Sequence, residues 1–158
     1  MPCRLRRFIA TLMVLSIGPF LCSVPEKSDS GFARAHSLEA PRRRKVSDDQ
    51  RAFNALVRCQ ERDLQKILAE LDHGAKESCW AWYIFPTEKA GLSDPNQTRI
   101  TSANAVDLCK QPTAEDWRRC LEKICDLLEA RGKPPDDHVL PSVDHGRVGW
   151  FVKFWTNY

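Results

Sequence analysis

Residues 47–74, SDDQRAFNALVRCQERDLQKILAELDHG, constrain the fold more than any other stretch. Phe53, Leu56, Val57, Gln60, Leu64, Ile67, Leu68 and Leu71 recur at spacings of three and four, the period of a helix that buries one face. Both ends are marked. Ser47-Asp48-Asp49-Gln50 reads as a capping box: a hydroxyl for an early N–H, acids at the positive end of the helix dipole, and a glutamine to reach back. Gly74 after His73 supplies a left-handed stop.

Two further helices follow from the same reasoning. Thr101 can cap a short one ending at Cys109 and Thr113 a longer one, with Pro112 between them. In the longer segment Trp117, Cys120, Leu121, Ile124, Leu127 and Leu128 form an apolar face, and Arg131-Gly132 closes it. The C-terminal GRVGWFVKFWTNY places Val148, Phe151, Val152 and Trp155 on one helical face and Trp150, Phe154 and Tyr158 on a second, so the segment is either buried or a homodimer surface. Between the helices, KESCWAWYIF fits a strand by propensity and a buried helical turn equally well until Pro86 ends it.

A chain of 158 residues has room for one domain with a sizeable core. A net charge of only +3, much of it local to Arg4, Arg6, Arg7 and the basic run 42–45, does not imply nucleic acid. The organisation expected is a signal-peptide-like leader over 1–24, a linker over 25–46 and a domain over 47–158. The leader has a basic start, an apolar run over 8–17 that is shorter than the roughly 20 residues a spanning helix needs, and small residues near Cys22 and Ser23. No stable membrane span is expected once it is cleaved. The linker lacks apolar periodicity and is rich in Ser, Ala and Arg, as a transit-like segment is, although Glu26, Asp29 and Glu39 count against that. Secretion, or an organelle such as a plastid reached through the secretory pathway, is the expected address. Seven cysteines, two of them in the leader, leave an odd number in the domain, which suits thiols better than a disulfide framework. Neither Cys and His spacing nor any phosphate-binding motif points to a metal or a cofactor.

The stretches ILAELDHGAKESCWAWYIFP, TRITSANAVDLCKQP and PPDDHVLPS together resemble the uncharacterised family of domain of unknown function 1810, over roughly residues 50–155. Lys76, Ser78, Trp80, Trp82, Tyr83, Ile84, Phe85 and Pro86 fit its core motif, as do Pro135, Asp136, Asp137, Leu140 and Ser142. Cys79 stands where the family usually has His, Thr87 where it usually has Gln, and the C-terminal portion reads as shortened. The resemblance implies a small all-α fold, which tips the ambiguous stretch toward helix, and implies no established activity.

Aromatic density without a catalytic constellation suggests a ligand- or protein-binding module with an aromatic pocket. The candidates are Trp80 and Trp82, with Asp144, His145 and Arg147 as polar partners at a helix start that could hold a phosphate or carboxylate. Of the two indoles, Trp82 is expected to be buried and Trp80 to lie nearer the pocket. The alternative is an enzyme acting on a small anionic or nucleotide-like substrate through His145 and Arg147. Weaker options are a Cys79 nucleophile with His145 as base, and acid–base work by Asp136 and Asp137.

Overall fold

The computed structural model describes residues 46–130 and 139–157. The leader, most of the linker, Arg131-Gly132, Asp136, Asp137 and Tyr158 lie outside the described residues. Within them the chain forms five helices and no strand: α1 (Asp48–Asp72), α2 (Ala81–Ile84), α3 (Ala105–Cys109), α4 (Ala114–Ala130) and α5 (Ser142–Thr156).

The ends of α1 follow their sequence signals with one difference. The Gln50 N–H donates to Ser47 Oγ at 3.1 Å, and Asp48 and Asp49 occupy the first turn. The return half of the box is not made, because the Gln50 amide instead donates to Asn54 Oδ1, one turn on, at 2.9 Å. At the other end His73 caps the helix and Gly74 turns the chain at φ 90°. Two expected caps also differ. The short helix begins at Ala105, preceded by a turn in which the Thr101 N–H donates to Asn104 Oδ1 at 2.7 Å. Ahead of α4, the Thr113 carbonyl accepts the Trp117 N–H at 2.9 Å, while its hydroxyl donates across the core to Gln60 Oε1 at 3.3 Å.

The ambiguous aromatic stretch is a single helical turn, and its tertiary contacts explain why neither period was decisive. α1 packs along α4, and α2 touches α1, α4 and α5. A turn enclosed on all these sides has no polar face to reveal a period. Trp80, Ile84 and Phe85 are at most 1% exposed and Tyr83 5%. Phe85 meets Phe151 edge-on at 5.4 Å, and Trp117 lies 5.7 Å from Trp155. α2 is therefore the plug over which the longer helices close.

A buried turn this short leaves its last carbonyls without backbone donors, and Pro86 brings no N–H of its own. Side chains from three helices supply them. Gln60 Nε2 of α1 donates to Tyr83 O at 2.8 Å, and Trp117 Nε1 of α4 to Ile84 O at 2.9 Å. From α5, Arg147 Nε donates to Phe85 O at 2.8 Å and Trp155 Nε1 to Pro86 O at 3.3 Å. Four consecutive carbonyls are thus satisfied one by one, so the plug has one docked position.

Cys59, Cys79, Cys109, Cys120 and Cys125 are thiols. Cys120 and Cys125 are both fully buried although five positions separate them, because α4 is covered by α2 as well as by α1. Burial pushes the Cys120 thiol up to about 12, which keeps it protonated and unreactive.

Candidate functional site

The two indoles of the plug lie the opposite way round from the sequence expectation. Trp80 is 1% exposed, and its Nε1–H donates to Glu70 Oε2 at 2.7 Å. Trp82 is only half-buried and lies on Gly91, so close that a Cβ there would sit 2.1 Å from the indole nitrogen. The cause is Glu70, whose carboxylate on α1 gives the Trp80 nitrogen a partner inside the core, as a buried indole requires. The same carboxylate accepts from the Glu77 and Ser78 N–H groups at 3.2 and 3.0 Å and from Ser78 Oγ at 2.5 Å. Burial pushes this acid up, but the hydrogen bonds, led by the Ser78 hydroxyl and the Trp80 indole, outweigh it and hold the carboxyl at about 2.

Asp144 and Trp80 are brought together through Lys76, whose Nζ lies 2.8 Å from Asp144 Oδ2 and 5.5 Å from the Trp80 ring centre. This ion pair is largely buried, at 10% and 13% side-chain exposure, and fastens the start of α5 to the loop before the plug. His145 Nε2 sits 3.1 Å from Leu140 O. Arg147, two positions further along the helix, projects to another side, where Nε and Nη1 reach Phe85 O and Lys89 O. Burial pushes the Arg147 guanidinium down from its ordinary value, opposed by the charge of Asp94. The three polar candidates thus serve three separate contacts. Cys79 is exposed, and His145 is engaged at Leu140.

A different set of side chains converges at the surface beside Arg147. Trp150 is 45% exposed, with Lys89 Nζ 3.6 Å above its ring centre and Lys153 Nζ 5.4 Å away. These groups line a hollow of about 240 Å³ with Phe154, Thr87 and Ser102, and Glu88 and Asn157 complete its rim. Among the described residues neither lysine takes part in an ion pair. Of two larger hollows, the one of about 490 Å³ along α1 and α4 is lined by charges in ion pairs, among them Lys123 with Asp72, and the one of about 510 Å³ between α1 and α3 mixes both signs, Lys110 paired with Asp107 beside Arg58 and Glu61, with the buried Phe53 as its aromatic ring. The Trp150 hollow differs in offering an apolar ring and two unspent ammonium groups, the combination that holds a flat or apolar ligand bearing negative charge.

Sequence reasoning placed Trp150 and Phe154 on a second stripe of the last helix but did not join them to the lysines. The signal was there in part: a stripe four residues long in spacing, off the core-facing side, with Lys153 in the same turn. Lys89 carries no such signal, since only the folded loop brings it over the ring. Among the described residues no three His, Cys, Asp or Glu side chains gather as metal ligands, and no helix is long and apolar enough to cross a membrane.

Fold and site define a small all-helical domain in which an aromatic one-turn plug is fastened by side chains from the surrounding helices. The chain belongs to the family described as Protein of unknown function (DUF1810), whose model matches residues 50–149. No curated protein and no solved structure matches it. Lys89 falls inside the matched span, and Trp150, Lys153 and Phe154 lie just beyond it.

Proposed function

We propose that the domain is a binding module for a small anionic ligand, seated on Trp150 between Lys89 and Lys153. One observation carries this reading: an exposed indole with two ammonium groups over it and no carboxylate paired to either. Burying such a ring under a ligand recovers apolar area, and the lysines donate charge-assisted hydrogen bonds to its anionic group. The aromatic pocket expected from the sequence is therefore assigned to Trp150 and Phe154 and not to Trp80 and Trp82. An enzyme working through His145 and Arg147 has less support, because the helix directs those two side chains apart.

Titration calorimetry with phenyl phosphate, benzoate and the nucleoside monophosphates tests the proposal. Binding that is lost in Trp150→Ala and in the Lys89→Ala, Lys153→Ala double variant is the expected result; binding indifferent to all three changes refutes it. Should this face instead join two copies of the chain, Trp150→Ala would lower the mass seen by light scattering. For the address we propose the secretory route, supported by the leader over 1–24; a fusion of residues 1–46 to a fluorescent protein that stays in the cytosol would refute it.

A further inference from the structure

Arg147 stands at one end of the α5 stripe that carries Trp150 and Phe154, at spacings of three and seven residues. Its guanidinium bridges two carbonyls that the plug and the following loop present, Phe85 O through Nε at 2.8 Å and Lys89 O through Nη1 at 2.6 Å. The first contact belongs to the plug. The second does not, since Lys89 lies beyond Pro86, and securing α2 leaves it unexplained.

The consequence of that second contact is local. The Lys89 backbone is held on its other side by Thr87, whose Oγ1 donates to Lys89 O at 3.1 Å and accepts the Lys89 N–H at 3.2 Å. Gripped from both sides, Lys89 extends its side chain from a fixed Cα, and its Nζ lies 3.6 Å from the Trp150 ring centre. Only a planar fork can hold both carbonyls in one geometry; a lysine at this position would offer a single point of charge. The guanidinium has no carboxylate in direct contact and its Nη2 has no hydrogen-bond partner, so the two carbonyl dipoles, with the charge of Asp94 further off, offset the cost of its burial.

We propose that Arg147 is a positioning residue of the ligand site, setting Lys89 over Trp150 so that the ammonium group is in place before an anion arrives. This rests on the binding reading above. The test is nuclear magnetic resonance of the whole chain, because the Trp150 ring current should shift the Lys89 side-chain methylene protons upfield, an effect that Trp150→Leu should remove. In Arg147→Lys and Arg147→Met, with helicity checked by circular dichroism, those signals should move to ordinary lysine values. Affinity for phenyl phosphate should fall about tenfold in both, as in Lys89→Ala, the loss expected for one charge-assisted hydrogen bond. Unchanged Lys89 signals in folded Arg147 variants would overturn the proposal. If neither variant folds, hydrogen exchange of the Arg147 Nη1–H groups in the native protein decides: protection supports the contact with Lys89 O, and exchange at the rate of a solvated guanidinium overturns it. Failure of the native protein to bind phenyl phosphate would count against the binding reading, while the ring-current shift would still report on the positioning.

Discussion

Replacing Glu70 by Gln should destabilise the domain by about 3 kcal/mol at neutral pH, and that penalty should fade in acid. Glu70 is 6% exposed, and its carboxylate gathers two backbone N–H groups, the Ser78 hydroxyl and the Trp80 indole N–H. Its pKa is held at about 2, against an ordinary 4.5. Each pH unit between the folded and unfolded values is worth roughly 1.4 kcal/mol, so the ionised form contributes about 3 kcal/mol. Because the folded value is the lower one, this stability is complete above the unfolded value of 4.5 and is lost as the pH falls from there toward 2. Glutamine keeps the shape but exchanges an acceptor oxygen for an NH₂ group, which would face donors in a site built of donors. Urea unfolding of both proteins at pH 7, 5, 4 and 3 should show the gap in stability narrowing below pH 5. A gap that stays constant across the series, or a variant as stable as the native protein at pH 7, would refute the electrostatic account.

Trp80→Ala should cost about 3–5 kcal/mol in urea unfolding, from the cavity and the donor lost to Glu70, and Trp82→Ala clearly less, since that ring is only half-buried. Equal losses would mean that Trp82 is as deeply packed as Trp80. Gly91→Ala should destabilise by about 1–3 kcal/mol and alter tryptophan fluorescence, because its methyl group would displace the Trp82 indole; a neutral substitution would show that the ring does not rest there. Gln60→Leu, harmless if this side chain merely filled space, should cost about 1–3 kcal/mol by leaving Tyr83 O without its donor, measured again by urea unfolding.

The helices that carry strong local signals were legible in the sequence, and the plug was not. α1 announces itself by a cap, a period and a glycine stop, and α4 by its apolar face, because each shows one side to water. α2 is four residues long and enclosed, so its composition records burial without recording shape. The order of Trp80 and Trp82 was misread for a related reason. Which indole turns inward is set by Glu70, ten residues earlier on another element, and the sequence does not show that an acid on the apolar side of α1 meets an indole N–H. Gln60 gave a hint, as a polar residue on the buried stripe that must find partners there. The Lys89 contact with Trp150 was beyond reach, since it depends on how Arg147 and Thr87 fold the intervening loop.

This arrangement separates two uses of aromatic residues that composition alone runs together. Trp80, Trp117 and Trp155 each direct the indole N–H to an interior acceptor, respectively a carboxylate, Ile84 O and Pro86 O, and in doing so lock the plug to its neighbours. Trp150 instead lies at 45% exposure under a lysine, its ring held by the cation and not by the core. Arg147 connects the two regions, with one arm on the plug and the other on the loop that delivers Lys89. A loosened plug should therefore weaken the surface site as well, whereas removing Trp150 should leave the plug intact. Hydrogen exchange at the Trp117 and Trp155 indoles in Trp150→Ala should match the native protein, and faster exchange there would show that the surface ring is part of the core after all.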